Sequence, residues 1–356
     1  MYRKISQKLL AWKESPFRKP LLLQGARQVG KTFSVLEFGR NNYENVAYFN
    51  FETNTQLNAT FEENIEPGYL LPILSHIAGT SIIKEKTLII FDEVQLCERA
   101  LTSLKYFCEQ APEYHIIALG SLLGVAVNRK TYSFPVGKVD MLTMYPMDME
   151  EFLLALEESY LLEKIKACFK DKTAMPAALH QSALELYRQY LVVGGMPEVV
   201  ATFLNNEDFG KTIANQKDIL NGYRNDISKY AGNEKLLVKS VFDAIPGQLS
   251  KQDKRFILAS IEKNASRRKY GAPTQWLVDA GIAYYSFNVG SFELPFPLHE
   301  NIRLYKLFFV DSGLMCAMML DDIQAQVLTG DIYVNEGALT ENYVAGITIL
   351  RFILSA

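Results

Sequence analysis

Apolar residues recur near helical spacing at Ile5, Leu9, Leu10 and Trp12, which predicts a short amphipathic helix over residues 2–14. Lys19-Pro20 then leads into Leu21-Leu22-Leu23-Gln24, a short buried strand, followed by a loop from Gly25 to Thr32 and a helix over 32–41. Val46 to Phe51 is β-branched and aromatic, the composition of a second strand. Residues 56–80 read as mostly helical, with a break near Pro67-Gly68. Thr87 to Phe91 and Tyr114 to Leu119 are further strands, and Val139 to Met144 is a fifth, stopped by Tyr145-Pro146. Strands alternating with helical stretches predict an α/β domain with a mostly parallel sheet.

From Asp148 the pattern changes. Glu150 to Lys170 is long, charged and leucine-rich, and Ser182 to Tyr190 resumes the same texture, so a domain boundary is placed near Pro146. Gly194-Gly195-Met196-Pro197 marks a tight turn between helices. A helix is expected over Ser250 to Lys263, with Phe256, Ile257, Ser260 and Ile261 roughly on one face. A second is expected over 272–280, carrying Trp276, Leu277 and Ala280, and two strand-like runs follow at Ile282–Val289 and Arg303–Val310. Helix, turn, helix and two strands resemble a winged helix, a frequent DNA reader that also serves in protein contacts. The expected organisation is an α/β domain over 1–147, a helical connection over 148–235, a winged-helix-like domain over 236–320, and the start of a further domain over 321–356.

The chain has 356 residues, 49% hydrophobic and 22% charged, which excludes a mainly disordered, collagen-like or disulfide-scaffold protein. Its net charge of −3 means that any nucleic-acid contact must come from a local patch. Residues 251–270 supply one, with Lys251, Lys254, Arg255, Lys263, Arg267, Arg268 and Lys269 against Asp253 and Glu262. That stretch is either a contact for duplex DNA phosphates or a solvated face. The cysteines Cys97, Cys108, Cys168 and Cys316 form no CxxC pair and lie far from the four histidines, so neither zinc nor a disulfide framework is expected. With no signal peptide and no transmembrane run in the pattern, the expected location is the cytoplasm, away from membranes. Oligomeric state is left open.

The strongest chemical signal is Gly25-Ala26-Arg27-Gln28-Val29-Gly30-Lys31-Thr32, which fits GxxxxGK[ST] at every fixed position, with Phe33 following. Four constrained positions match by accident in roughly 1% of chains this long, and here a strand precedes them and a helix follows. Two glycines let backbone N–H groups face a phosphate, the helix N-terminus adds a favourable dipole, Lys31 suits the β- and γ-phosphates, and the Thr32 hydroxyl suits Mg²⁺. Leu88-Ile89-Ile90-Phe91-Asp92-Glu93 places an acidic pair at the carboxyl edge of a strand, where Asp92 would hold Mg²⁺ and Glu93 would deprotonate the attacking water. Because a helix, a strand and a helical region separate Thr32 from Asp92, the strand at 46–51 is expected to lie between the phosphate-loop strand and the acidic one. No NKxD guanine reader is present, which favours ATP over GTP. Ser121, after Leu119-Gly120, is either a γ-phosphate sensor or a helix cap. Arg27, Arg129, Lys138 and Arg224 are open alternatives for a further transition-state cation, as is a finger from a second subunit.

LLLQGARQVGKT, LIIFDEVQ and ALGS resemble the AAA-type P-loop ATPases of bacteria and archaea that carry a carboxy-terminal partner of unknown function. YLVVGGMPEVV (190–200), ILNGYRNDISKYA (219–231) and KLFFVDSGLM (306–315) are similar to that partner's signatures, so the resemblance spans nearly the whole chain. It implies ATP at Gly25, Gly30, Lys31 and Thr32, Mg²⁺ at Asp92, and Glu93 as hydrolytic base. It also implies a nuclease-like segment with a Glu-x-Asp motif after Gly337. The chain finishes instead with GITILRFILSA, so a shortened end with uncovered apolar surface is expected, and a nuclease role is weakened.

Overall fold

A computed structural model describes residues 1–122, 124–125, 135, 137–206, 208–319, 327–329 and 336–354. It divides into two compact units, Arg3–Met144 and a second from Tyr145 onward that includes Met1–Tyr2.

The first unit is a five-stranded, wholly parallel sheet in the order β2-β3-β4-β1-β5. Its strands are β1 (Leu21–Gln24), β2 (Asn45–Asn50), β3 (Thr87–Asp92), β4 (His115–Gly120) and β5 (Asp140–Thr143). The strand between β1 and β3 is therefore β4, whereas β2 lies at the sheet's edge beyond β3. This corrects the expected placement of the 46–51 strand. The burial pattern agrees with it: every residue of β3 and β4 is buried, as a central parallel strand demands, while Tyr48 on β2 is exposed.

The helices are α1 (Ile5–Glu14), α2 (Lys31–Asn42), α3 (Thr55–Glu63), α4 (Pro67–Ala78) and α5 (Glu98–Gln110). The break inside 56–80 falls where the sequence places it. Asn54 caps α3 by accepting from Gln56 N–H, Pro67 opens α4 where its missing N–H costs nothing, and Gly79 closes α4 in the left-handed region. Helix α5 adds an element beyond those expected from the sequence, with Ala100, Leu101, Leu104 and Phe107, all buried, at helical spacing. Edge-to-face contacts join Phe49, Phe51, Phe61 and Phe91 and lock β2 and α3 onto β3 immediately before Asp92.

The second unit is mainly helical. Its elements are α6 (Met149–Ala155), α7 (Ser159–Asp171), α8 (Ala177–Val193), α9 (Pro197–Asn206), α10 (Phe209–Tyr230), α11 (Lys235–Leu249), α12 (Arg267–Asp279), α13 (Ser312–Met318) and α14 (Glu336–Leu354), with an antiparallel pair β6 (Ala283–Val289) and β7 (Glu300–Phe309). Asp148 and Glu151 form a reciprocal capping box that starts α6. The helix expected over 250–263 is absent. Helix α11 ends at Leu249, and only a 3₁₀ turn, Leu258–Ser260, occurs in that stretch. Tertiary contacts override the local pattern: Phe256 N–H donates to the Tyr305 carbonyl of β7, and the Phe256 ring stacks on Tyr305. The backbone is extended at Ile257, beside that bridge. No helix among the described residues is long and apolar enough to cross a membrane.

Candidate functional site

The loop between β1 and α2 is shaped by backbone conformations that few side chains tolerate. Gly25 has φ +149°, and a Cβ there would sit 2.1 Å from the Met144 carbonyl oxygen, so the approach of the chain after β5 admits only glycine. Gln28 is left-handed at φ 66°, and Gly30, at φ 90°, turns the chain into α2. No side chain caps α2. Its amino end is positive by the helix dipole and carries no side-chain acceptor of its own. Ala26 and Val29 are buried, Arg27 and Gln28 are exposed, and Phe33 projects into solvent.

Lys31 is buried. Its ammonium donates to the carbonyls of Gly25 (2.9 Å) and Ala26 (2.8 Å), and burial pulls its pKa down to about 8 while the Glu93 and Asp92 carboxylates oppose that. A buried cation held by carbonyls across the loop is poised to exchange them for a stronger, anionic acceptor.

The acidic pair ends β3 beside this loop. Asp92 is buried, and its carboxylate is held from three directions. Oδ1 accepts the Glu93 backbone N–H at 2.9 Å, while Oδ2 accepts the Thr32 hydroxyl at 2.9 Å and the Tyr48 hydroxyl at 2.7 Å. Glu93 has a left-handed backbone at φ 53°, an uncommon conformation for a residue with a side chain. Its carboxyl pKa is raised, chiefly by burial. Gln95 Nε2 donates to Glu93 Oε2 at 2.5 Å, and the Ser121 hydroxyl reaches the same oxygen at 3.5 Å.

Lys31, Thr32, Asp92, Glu93 and Ser121, which the sequence places far apart, thus form one cluster at the carboxyl edge of the sheet. Of the candidate cations, Lys138 precedes β5 and pairs with Glu109 at the opposite edge, and Arg224 pairs with Asp243 in the other unit. Arg129 lies outside the described residues. Arg27 remains on the loop itself. Two residues of the cluster, Tyr48 and Gln95, carry no recognisable signal in the sequence. Tyr48 reaches Asp92 only because β2 and β3 pair in parallel with Asn50 opposite Asp92.

The donor set suits magnesium. A hydroxyl and a carboxylate are hard oxygen ligands, and Mg²⁺ takes few protein ligands, completing its shell with water and phosphate oxygens. Among the described residues no three His, Cys, Asp or Glu side chains gather into a metal site independent of such a ligand.

Comparison with known proteins agrees with this geometry at the level of fold. Residues 17–153 match the family model described as AAA domain, and residues 184–325 match a domain of unknown function (DUF8612). No curated protein sequence matches the chain. Among solved structures, the Walker-type ATPase PABY2304 of Pyrococcus abyssi superposes with a TM-score of 0.55 at 16% identity, covering 88% of this chain and 94% of that one. The ORC2 protein of Aeropyrum pernix, solved as ADPNP–ADP complexes, gives a TM-score of 0.39 at 12% identity over 97% of this chain and 92% of that one. The ORC1 protein of the same organism, solved with DNA, gives 0.33 at 13% over 92% and 94%. Both scores are too low to add to the first. A parallel sheet in the order β2-β3-β4-β1-β5, a GxxxxGKT loop opening α2 and the family match over 17–153 together make the amino-terminal unit a P-loop domain of the AAA type.

Proposed function

We propose that this protein binds ATP with Mg²⁺ at the Gly25–Thr32 loop, hydrolyses it, and uses the nucleotide state to bias a winged-helix-like domain over residues 236–320 toward a duplex-DNA target. The observation that carries the reading is the convergence of Thr32 and Asp92, 2.9 Å apart, with Lys31 and Glu93 beside them. Backbone amides at the start of α2 and the Lys31 ammonium would bind the β- and γ-phosphates. Thr32 and Asp92 would hold Mg²⁺, which when bound neutralises charge on the phosphate oxygens. Glu93, whose pKa burial raises, would take a proton from the attacking water as its oxygen bonds to the γ-phosphorus and the bond to the β-phosphate oxygen breaks, leaving ADP and phosphate. Ser121, sharing Glu93 Oε2, would help aim that water. Residues 148–235 serve in this reading as the helical connection.

For the second domain, α11, the Phe256–Tyr305 bridge, α12 and the β6–β7 pair follow one another as in a winged helix. Lys251, Arg255, Lys263, Arg267, Arg268 and Lys269 are its exposed cations on the 251–270 stretch. Two observations favour a second reading, a nucleotide-gated switch acting on a protein without DNA. Lys254 pairs with Glu341, Arg255 with Asp253 and Lys269 with Glu262, so much of the local positive charge is already answered. The β6–β7 connection also exposes Phe292 (90%), Leu294 (79%) and Leu298 (78%), an apolar tip unlike a phosphate-binding wing.

ATP turnover measured with and without duplex DNA, beside a salt titration of DNA binding, tests the choice. Stimulated turnover and a steep loss of affinity with salt support the DNA reading, because phosphate contacts release counterions. No binding at low salt, or a flat response, supports the protein switch.

A further inference from the structure

We propose that Tyr48 is a positioning residue for the metal half of the nucleotide site, its hydroxyl fixing the Asp92 carboxylate so that Thr32 is presented to Mg²⁺. The inference rests on the reading of that site given above and extends it to a residue that no motif includes.

Tyr48 lies on β2 between Ala47 and Phe49, both buried, so strand alternation turns it away from the core. It is 37% exposed. Its hydroxyl nevertheless donates to Asp92 Oδ2 at 2.7 Å and accepts from Asn50 Nδ2 at 3.2 Å. The Asn50 amide occupies an acceptor position on the phenol oxygen, which leaves the phenol proton directed at Asp92. Asn50 is itself fixed, its Oδ1 accepting the backbone N–H groups of Glu52 (2.8 Å) and Thr53 (3.0 Å). A polar relay thus runs from the turn after β2, through Asn50 and Tyr48, to Asp92.

The consequence for the site follows from hydrogen-bond accounting. Thr32 donates its only hydroxyl proton to Asp92 Oδ2, which leaves the threonine lone pairs for a cation. That arrangement holds only while Asp92 keeps its plane. The backbone N–H of Glu93 restrains Oδ1, and the Tyr48 hydroxyl joins that of Thr32 as a donor to Oδ2. Removing it leaves the carboxylate one restraint fewer about its Cβ–Cγ bond. Groups that orient metal ligands in this way commonly cost 10–100-fold in metal affinity when removed.

Tyr48→Phe in the full chain tests the proposal, with affinity for a non-hydrolysable ATP analogue measured by calorimetry in Mg²⁺ and again in EDTA. The expected result is an unchanged affinity in EDTA and a roughly tenfold or greater loss of the gain conferred by Mg²⁺. Turnover should need more Mg²⁺ for half-saturation, with kcat largely recovered at high Mg²⁺. Thermal melting without nucleotide separates a structural role. Parallel losses of both affinities together with a lowered melting point overturn the proposal, as does a Mg²⁺ gain fully retained by the variant. A wild-type chain that gains nothing from Mg²⁺ overturns the nucleotide-site reading itself and Tyr48's role with it.

Discussion

The two units each contain a glycine turn that looks alike in sequence and differs in use. In the first, Gly25 and Gly30 bend the chain so that α2 starts without a side-chain cap. In the second, Gly194 and Gly195 separate α8 from α9, and the Gly195 N–H donates at 2.6 Å to buried Asp311, which also caps α13 through Leu314 N–H at 2.8 Å. Both turns need glycine because a carbonyl comes too close for any Cβ: Met144 O at 2.1 Å from the position at Gly25, Met147 O at 1.9 Å from the one at Gly195. The difference lies in what the backbone amides face. An internal carboxylate occupies the second turn, which makes it a structural joint. The first turn keeps its only buried charge of opposite sign to a phosphate, Lys31, on its own carbonyls. A glycine-rich turn becomes an anion site when its donors are left for a ligand.

The largest effects should separate the units by function. Lys31→Ala is expected to abolish ATP binding in calorimetry, since a buried ammonium is lost from the phosphate side. Glu93→Gln should keep ATP yet lower kcat by roughly 10²–10⁴-fold, the usual worth of a general base. Full turnover by that variant would remove Glu93 from its assigned role.

Next in size are the glycines themselves. Gly25→Ala and Gly195→Ala should each destabilise by about 3 kcal/mol, because backbone rather than a flexible side chain must move. Chemical denaturation followed by separate probes in the two units should place each loss in its own unit. If Gly195→Ala were silent in denaturation but lowered ATP affinity, the distinction between joint and site would fail.

Asp311 gives the smallest, pH-dependent effect. Burial raises its pKa to about 6, partly offset by the N–H groups of Gly195, Leu314 and Gly313. A carboxyl whose folded pKa lies above its unfolded value stabilises most below the unfolded pKa, and that contribution is lost as pH rises through the folded one. The second unit should therefore lose at most about 3 kcal/mol between roughly pH 4 and 6. Asp311→Asn should flatten this slope, and an unchanged slope would show that the carboxyl does not carry it.

Much of the first unit was readable along the chain, because its information is local. Each strand is a short apolar run between breakers, the break at Pro67 is a proline at a helix start, and the phosphate loop is a contiguous motif whose glycines have a backbone reason. The second unit was less readable. The expected helix at 250–263 yielded to the Phe256–Tyr305 bridge, formed between residues remote in sequence, whose competing hydrogen bond no helical periodicity encodes. The helix at 98–110 has its own local signature in Ala100, Leu101, Leu104 and Phe107 at helical spacing, close behind the acidic pair Asp92-Glu93.

The residue order alone specified the loop, its lysine and threonine, and an acidic pair closing a strand, since these depend on neighbours in the chain. Only the folded sheet decided that β4 separates β1 from β3, that β2 stands at the edge, and that Tyr48 on that edge strand meets Asp92. Strand order and register arise from packing between distant segments. A side chain that acts across that register, as Tyr48 does, becomes visible once the strands are paired.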